Sequence, residues 1–163
     1  MNLLLRIIKG VVSHHKICIP MRIKPLNVLI VLGVVAAAIQ LVPISRTNPP
    51  VTKEPAWDSP ETRALYMRAC GDCHSNESKW PAYAYVAPVS WFVARHVNDG
   101  REELNASEFE LSSSSAQKLA NKAAKNIERG AMPLSSYLLI HSEAKLTDAE
   151  KTALISGIKA SFK

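Results

Sequence analysis

Cysteine is scarce: the 163-residue chain has three. Two of them stand three positions apart, and the third, Cys18, lies alone far upstream. No disulfide framework can be built from that set. A structural zinc site would need two further ligands at close spacing, and there is no second C-x-x-C. Histidine is nearly as rare, with five in the chain. No catalytic acid/base pair stands out, and His96 and His141 are single, so a carrier is expected rather than a catalyst. Acidic residues are missing from residues 1–25, which hold Arg6, Lys9, Lys16, Arg22 and Lys24, a local charge of +5. From Arg46 onward there are 15 basic and 14 acidic residues. The net charge of +6 therefore belongs to the N-terminus, and the main body is nearly neutral. Nucleic-acid binding gets no support from that distribution.

What is present is Cys70-Gly71-Asp72-Cys73-His74. It reads C-x-x-C-H, the attachment signature of a c-type haem. Two thiols at that spacing fit on one helical turn, where both can add to the vinyl groups along one porphyrin edge. His74 follows at once, and its imidazole can reach the iron from one face. A thioredoxin-like redox pair also uses C-x-x-C, but it needs a strand before it and a βαβ context. Here the preceding residues are helical in pattern. Ser59 is a good N-cap, Pro60 suits the first helical position, and Glu61 complements the helix dipole.

The chain divides by composition. Residues 1–25 form a basic segment, within which Met21-Arg22-Ile23-Lys24 looks like an alternative start. Residues 26–42 are apolar except for Asn27 and Gln40. Seventeen residues at about 1.5 Å each cover roughly 26 Å, the short end for a membrane helix. Basic residues precede this run and few follow, which puts the N-terminus on the cytoplasmic side. The alternative is a cleaved signal peptide, with Ala36-Ala37-Ala38 as the cleavage region. An uncleaved single-pass anchor is preferred, because the apolar run continues past those alanines to Val42. Either reading exports the remainder, the compartment in which haem is attached to C-x-x-C-H. Residues 43–58 are a proline-rich linker or wrapping segment, with Trp57 expected to pack on the domain that follows. Residues 59–163 form that domain, all-α.

Within it, residues 75–88 read as an aromatic loop. Trp80, Tyr83, Tyr85 and Trp91 suit the wall of a large flat ligand, with polar tips for its propionates; ordinary packing is the alternative for each. Val89 to Asn98 reads as a helix stopped by Asp99-Gly100. Ser113 to Arg129 forms the next, with Leu119, Ala120, Ala123, Ala124 and Ile127 as its apolar stripe and Gly130 as its stop. Then comes Met132-Pro133. A methionine after a helix stop can offer a soft thioether to haem iron, or it can be a core residue. A short helix around Tyr137–Ile140 follows. Thr147 and Glu150 make a capping box for a last helix, expected to pack against the one entering Cys70.

These pieces together resemble the bacterial haem-binding-domain family of cytochrome c-like proteins. The resemblance is carried by Gln40 to Pro50, Cys70 to Ser75, Trp80-Pro81, Ala87 to Trp91, Gly130 to Pro133 with Tyr137 and His141, and Leu146 to Glu150. It implies a cytochrome c-like helical domain around one covalently attached haem c. Cys70 and Cys73 would be the attachment points and His74 the proximal iron ligand. The broader cytochrome c family implies Met132 as the distal ligand. It also implies a proline carbonyl bonding the proximal imidazole, from Pro88 or else Pro81, with Pro88 in the haem pocket. The expected protein is a periplasmic monohaem cytochrome anchored in the bacterial inner membrane, passing single electrons to membrane redox proteins. A haem-based gas or peroxide sensor, or a peroxidase, is the alternative if the sixth iron position is labile.

Overall fold

The computed structural model describes residues 24–163. The expected basic N-terminal segment, with Cys18, falls almost entirely outside them. The residues divide into two compact units, one through Ala37 and one from Ala38 to Lys163. Among the described residues the regular structure is helical, and the only strand-like feature noted is a parallel bridge between Lys53 and Glu108.

The first unit contributes most of α1 (Pro25–Ile39), an apolar helix that buries none of its residues. Fifteen residues give about 22 Å at 1.5 Å per residue. The expected span of 26–42 is thus shortened at its C-terminal end. A turn closes from Leu41 N–H to Ala38 O (3.1 Å), and the Gln40 amide pairs with the backbone of Ala87 instead of continuing the helix. No described helix is long and apolar enough to cross a membrane.

The second unit holds α2 (Pro60–Ala69), α3 (Gly71–His74), α4 (Val89–Glu103), α5 (Ser113–Glu128), α6 (Ser135–Leu138) and α7 (Asp148–Ser161). Short 3₁₀ turns lie at Ala82–Tyr85 and Ser142–Ala144. The local signals act as their chemistry requires. Ser59 accepts the Thr62 N–H at 3.1 Å and caps α2, and Thr147 and Glu150 form the reciprocal capping box of α7. The α2 and α7 helices pack together, and α7 also packs on α5. Gly157 allows the α2–α7 approach, because a Cβ there would stand 2.2 Å from Thr62 Oγ1. The core between them holds Tyr66, Leu154, Ile158 and Phe162, each at most 1% exposed. Fully burying each such side chain contributes about 1.5–3 kcal/mol.

The proline-rich stretch before α2 wraps the domain. Thr52 and Lys53 N–H groups donate to Ser107 O, Phe109 N–H donates to Lys53 O, and Trp57 packs on Tyr66 with ring centroids 5.1 Å apart. One sequence expectation fails outright. The helix beginning at Val89 does not stop at Asp99-Gly100 but runs on to Glu103. Tertiary packing overrides the local stop signal there, because Gly100 is where α4 touches α3.

Candidate functional site

Cys70 ends α2 and opens α3. Its N–H donates to Tyr66 O (2.8 Å), and its own carbonyl accepts from the N–H groups of Cys73 (3.2 Å) and His74 (2.9 Å). One tight turn therefore carries both thiols and the imidazole. Helix α4 lies directly on that turn. A Cβ at Gly100 would meet the Cys73 carbonyl oxygen at 2.5 Å and Cys73 Cβ at 3.0 Å, so only glycine permits the contact. On the other side, the Tyr66 hydroxyl donates to His74 O at 3.1 Å.

The late end of α4 sets the state of the imidazole. His74 Nδ1 lies 2.8 Å from Gly100 O and 3.1 Å from Leu104 O. Carbonyls can only accept, so Nδ1 carries the hydrogen; the assignment comes from the partners. Nε2 keeps its lone pair free for a metal. Burial pushes the His74 pKa below its ordinary value, which favours the neutral ring. The proline carbonyls expected in this role are engaged elsewhere. Pro88 O accepts from Trp91 N–H at 3.1 Å, and Pro81 O accepts from Ala84 N–H at 2.9 Å. Extending α4 beyond Asp99 delivers its end to His74: Gly100 O accepts both the Leu104 N–H (2.9 Å) and the imidazole, and Leu104 O lies past the last helical bond.

Cys70, Cys73 and His74 open on a cavity of about 450 Å³. Leu104 of the α4 end, Leu119, Ala123 and Ile127 of α5, and Ile158 of α7 give it apolar walls. His96, Asp99, Glu103, Lys122 and Asn126 supply polar wall positions, and Glu103 and Lys122 pair across α4 and α5. Met132 lines the same cavity. Its position follows from how α5 ends. Gly130 takes φ +67°, the Gly130 N–H donates to Ile127 O (3.0 Å), and the Ala131 N–H donates to Asn126 O (2.9 Å). That is a Schellman stop. Asn126 O also accepts the Met132 N–H at 3.2 Å, which pins the methionine backbone to the helix end.

Five residues expected in the pocket do not line this cavity. Trp80 donates through Nε1 to Asn48 at 3.2 Å. The Tyr85 ring lies under the Arg46 guanidinium, 4.6 Å from the ring centroid. Pro88 precedes α4 as its N-cap. Trp91 borders a separate surface hollow with Pro43, Ile44 and Arg95. Tyr83 bonds His141 Nε2 at 2.6 Å, and His141 stacks on Tyr137 with centroids 4.1 Å apart. Tyr137 does line the cavity, and its hydroxyl donates to Asp72 at 2.7 Å. Aromatic content marked the wrong loop: no residue of 75–88 lines the cavity, and the tyrosines that do, Tyr66 and Tyr137, lie elsewhere in the chain. Partners distant in sequence, Asn48, Arg46 and His141, take up Trp80, Tyr85 and Tyr83, and no short-range signal encodes them.

The rival readings of the two cysteines also meet the geometry. Burial pushes the Cys70 thiol up to about 12 and the Cys73 thiol up to about 11. A reactive redox pair needs the opposite shift, toward thiolate. The two are free, not bridged. Among the described residues no group of three or more His, Cys, Asp or Glu is arranged to hold a metal ion.

A protein-family model described as the haem-binding domain matches residues 34–160. The chain belongs to the haem-binding domain family. No curated protein and no solved structure matched the chain. The residues of this haem-binding domain suit the ligand that the family takes. The cavity lies within the 300–1,000 Å³ usual for cofactor sites, with apolar walls and few polar groups. An imidazole nitrogen with a free lone pair, a thioether and two protonated thiols share its lining. Sequence reasoning missed Gly100, Leu104 and Tyr66 as the groups that hold His74. The one signal available was a glycine inside a helical pattern, which marks either a stop or a close approach.

Proposed function

We propose that this haem-binding domain is a monohaem c-type cytochrome that passes single electrons. In this reading Cys70 and Cys73 would hold one haem covalently, each S–H adding across a vinyl double bond to give a thioether, and His74 Nε2 and Met132 would be the ligands to its iron. The observation that carries the reading is the Nδ1–H of His74 held by two backbone carbonyls, with Nε2 free at a cavity that Met132 also lines. The bound haem supplies an iron that alternates between ferric and ferrous states. The chain's own part is to hold the imidazole neutral and oriented, to wall the site with apolar side chains, and to offer the imidazole and the Met132 thioether to the iron. A bond from imidazole N–H to backbone orients the ring and raises its basicity as a ligand. With both positions filled, transfer of an electron is what remains.

The compartment and attachment belong to the same proposal. The basic residues before the apolar segment and the C-x-x-C-H motif both favour export to the bacterial periplasm. The unburied apolar surface of α1 favours attachment to the inner membrane through the apolar segment. Membrane redox proteins are then the expected partners, with the attachment raising the local concentration of haem.

Optical spectra of the full chain, matured with haem, test this. A low-spin Met/His spectrum is expected in both oxidation states, with the haem retained after acid–acetone extraction. Met132→Ala should abolish the low-spin signature and open the ferrous iron to CO. If the unsubstituted ferrous protein already binds CO rapidly, the sixth position is labile. The sensor or peroxidase reading then replaces electron transfer.

A further inference from the structure

We infer that the face built from residues 41–46 and 85–92 lies in the headgroup layer of a phospholipid bilayer. The inference rests on the membrane attachment proposed above. Six apolar or aromatic side chains make this face: Leu41, Val42, Tyr85, Val86, Val89 and Phe92, between 46% and 83% exposed. The Gln40 side chain ties the two segments together. Its Nε2 donates to Ala87 O at 3.2 Å, and its Oε1 accepts the Ala87 N–H at 3.0 Å. The amide thus fills the place of a neighbouring backbone strand and sets Leu41 and Val42 beside Tyr85 and Val86.

Three features select lipid over a protein partner. First, the face is continuous in sequence with the apolar helix: residue 40 directly follows α1, none of whose residues is buried. Second, charge is sparse and confined to the edge. Residues 38–50 and 80–94 contain one charged side chain between them, Arg46, where the chain's average of 21% would put about six, and the next charges, Arg95 and Asp99, pair with each other at 3.5 Å beside Pro43 and Ile44. A solvated surface or an electrostatically steered docking site would carry more. Third, Arg46 lays its guanidinium over the Tyr85 ring (4.6 Å), an aromatic–cation pair of the kind found at headgroup level. The face also answers a shortage of length. The α1 helix covers about 22 Å against about 30 Å of hydrocarbon core, and a helix that short needs flanking residues to settle into the interface.

Photo-crosslinking of the full chain in phosphatidylethanolamine–phosphatidylglycerol vesicles tests the inference. A benzophenone amino acid replaces Val86 or Phe92, and Lys118 on the exposed face of α5 serves as control. Mass spectrometry should find lipid adducts at positions 86 and 92, at least fivefold above position 118. The haem absorption spectrum verifies that each variant is folded. If the chain floats with vesicles but positions 86 and 92 give no lipid adduct, the inference fails and membrane attachment stands. Protein adducts at those positions, to a second copy or another chain, overturn it equally. If the chain does not float with vesicles, the attachment reading fails and takes this inference with it.

Discussion

Replacing Gly100 with alanine sets two physical effects against each other. In an exposed helix interior, Gly→Ala stabilises by about 1 kcal/mol, because alanine loses less backbone entropy. Gly100 is fully inside α4, so helix propensity alone forecasts a gain. The tertiary contact forecasts the reverse. A Cβ at this position lies 2.5 Å from the Cys73 carbonyl oxygen and 3.0 Å from Cys73 Cβ, while ordinary contact begins near 3.4 Å. The nearest obstacle is backbone within the Cys70–His74 turn, so no side chain can rotate out of the way. Helix α4 must retreat by most of an ångström, and it takes Gly100 O, 2.8 Å from His74 Nδ1, along with it. Overpacking of that kind costs about 1–3 kcal/mol, so after the propensity gain the net loss is roughly 0–2 kcal/mol. Urea unfolding of the apo protein measures the stability. With a slope of about 1–3 kcal/mol per molar, the midpoint should fall by up to about 2 M. The sharper readout is the haem site: the matured variant should show a weakened or altered axial signature, because the imidazole loses its orientation. A midpoint that rises, with the haem spectrum unchanged, would refute the claim that α4 is held on the motif through this glycine.

Other expectations follow from single contacts. Gly130→Ala places a Cβ at φ +67°, costing about 1–2 kcal/mol, and should loosen the Met132 ligand, seen as a weaker low-spin spectrum. Arg101 donates to Ser75 O, Thr47 O, Asn48 and Ser78, so it ties the wrapping segment to the residues just after the motif. Arg101→Lys cannot reproduce that fork, and limited proteolysis should then cut near residues 45–50 that resist in the parent protein. The Glu54 carboxyl is held below its ordinary value chiefly by its hydrogen bond to Arg63. Its folded pKa is lower than its unfolded one, so the unfolded chain binds the proton first. The bond's stabilisation is present above the unfolded value and is lost as pH falls through the folded one. Stability measured from pH 6 down to pH 3 should therefore fall less steeply in Glu54→Gln than in the parent, and equal slopes would remove this contact from the acid response.

Much of the domain was legible because its signals are local. Ser59, Pro60, Thr147 and Glu150 act within one turn of themselves, and they start α2 and α7 where their chemistry requires. Gly130 ends α5 through its own φ, and that stop fixes the backbone of Met132 four residues past Glu128, the last helical residue. Trp57 packs on the core as its isolated aromatic character foretold. The illegible parts depend on residues distant in sequence. Asp99-Gly100 reads as a helix end, yet helix continues because α3 lies against it. The family resemblance implies Pro88 as the imidazole's partner, yet its carbonyl serves the first turn of α4. Trp80, Tyr83, Tyr85 and Trp91 read as pocket walls, yet each points to another partner or to the surface.

By itself, then, the sequence determined the chemistry on offer: two thiols one turn apart, an imidazole next to them, a thioether after a helix stop, and the caps that make the helices. Those properties depend on residue type and on spacings of a few residues, over which backbone geometry is nearly invariant. Only the tertiary structure decided which nitrogen of His74 is free, which aromatics face the cavity and which helix end braces the motif. Each of those is set by a contact between segments 26 or more residues apart, such as His74 with Gly100. Such contacts exist only after the chain has closed, and no local spacing encodes them.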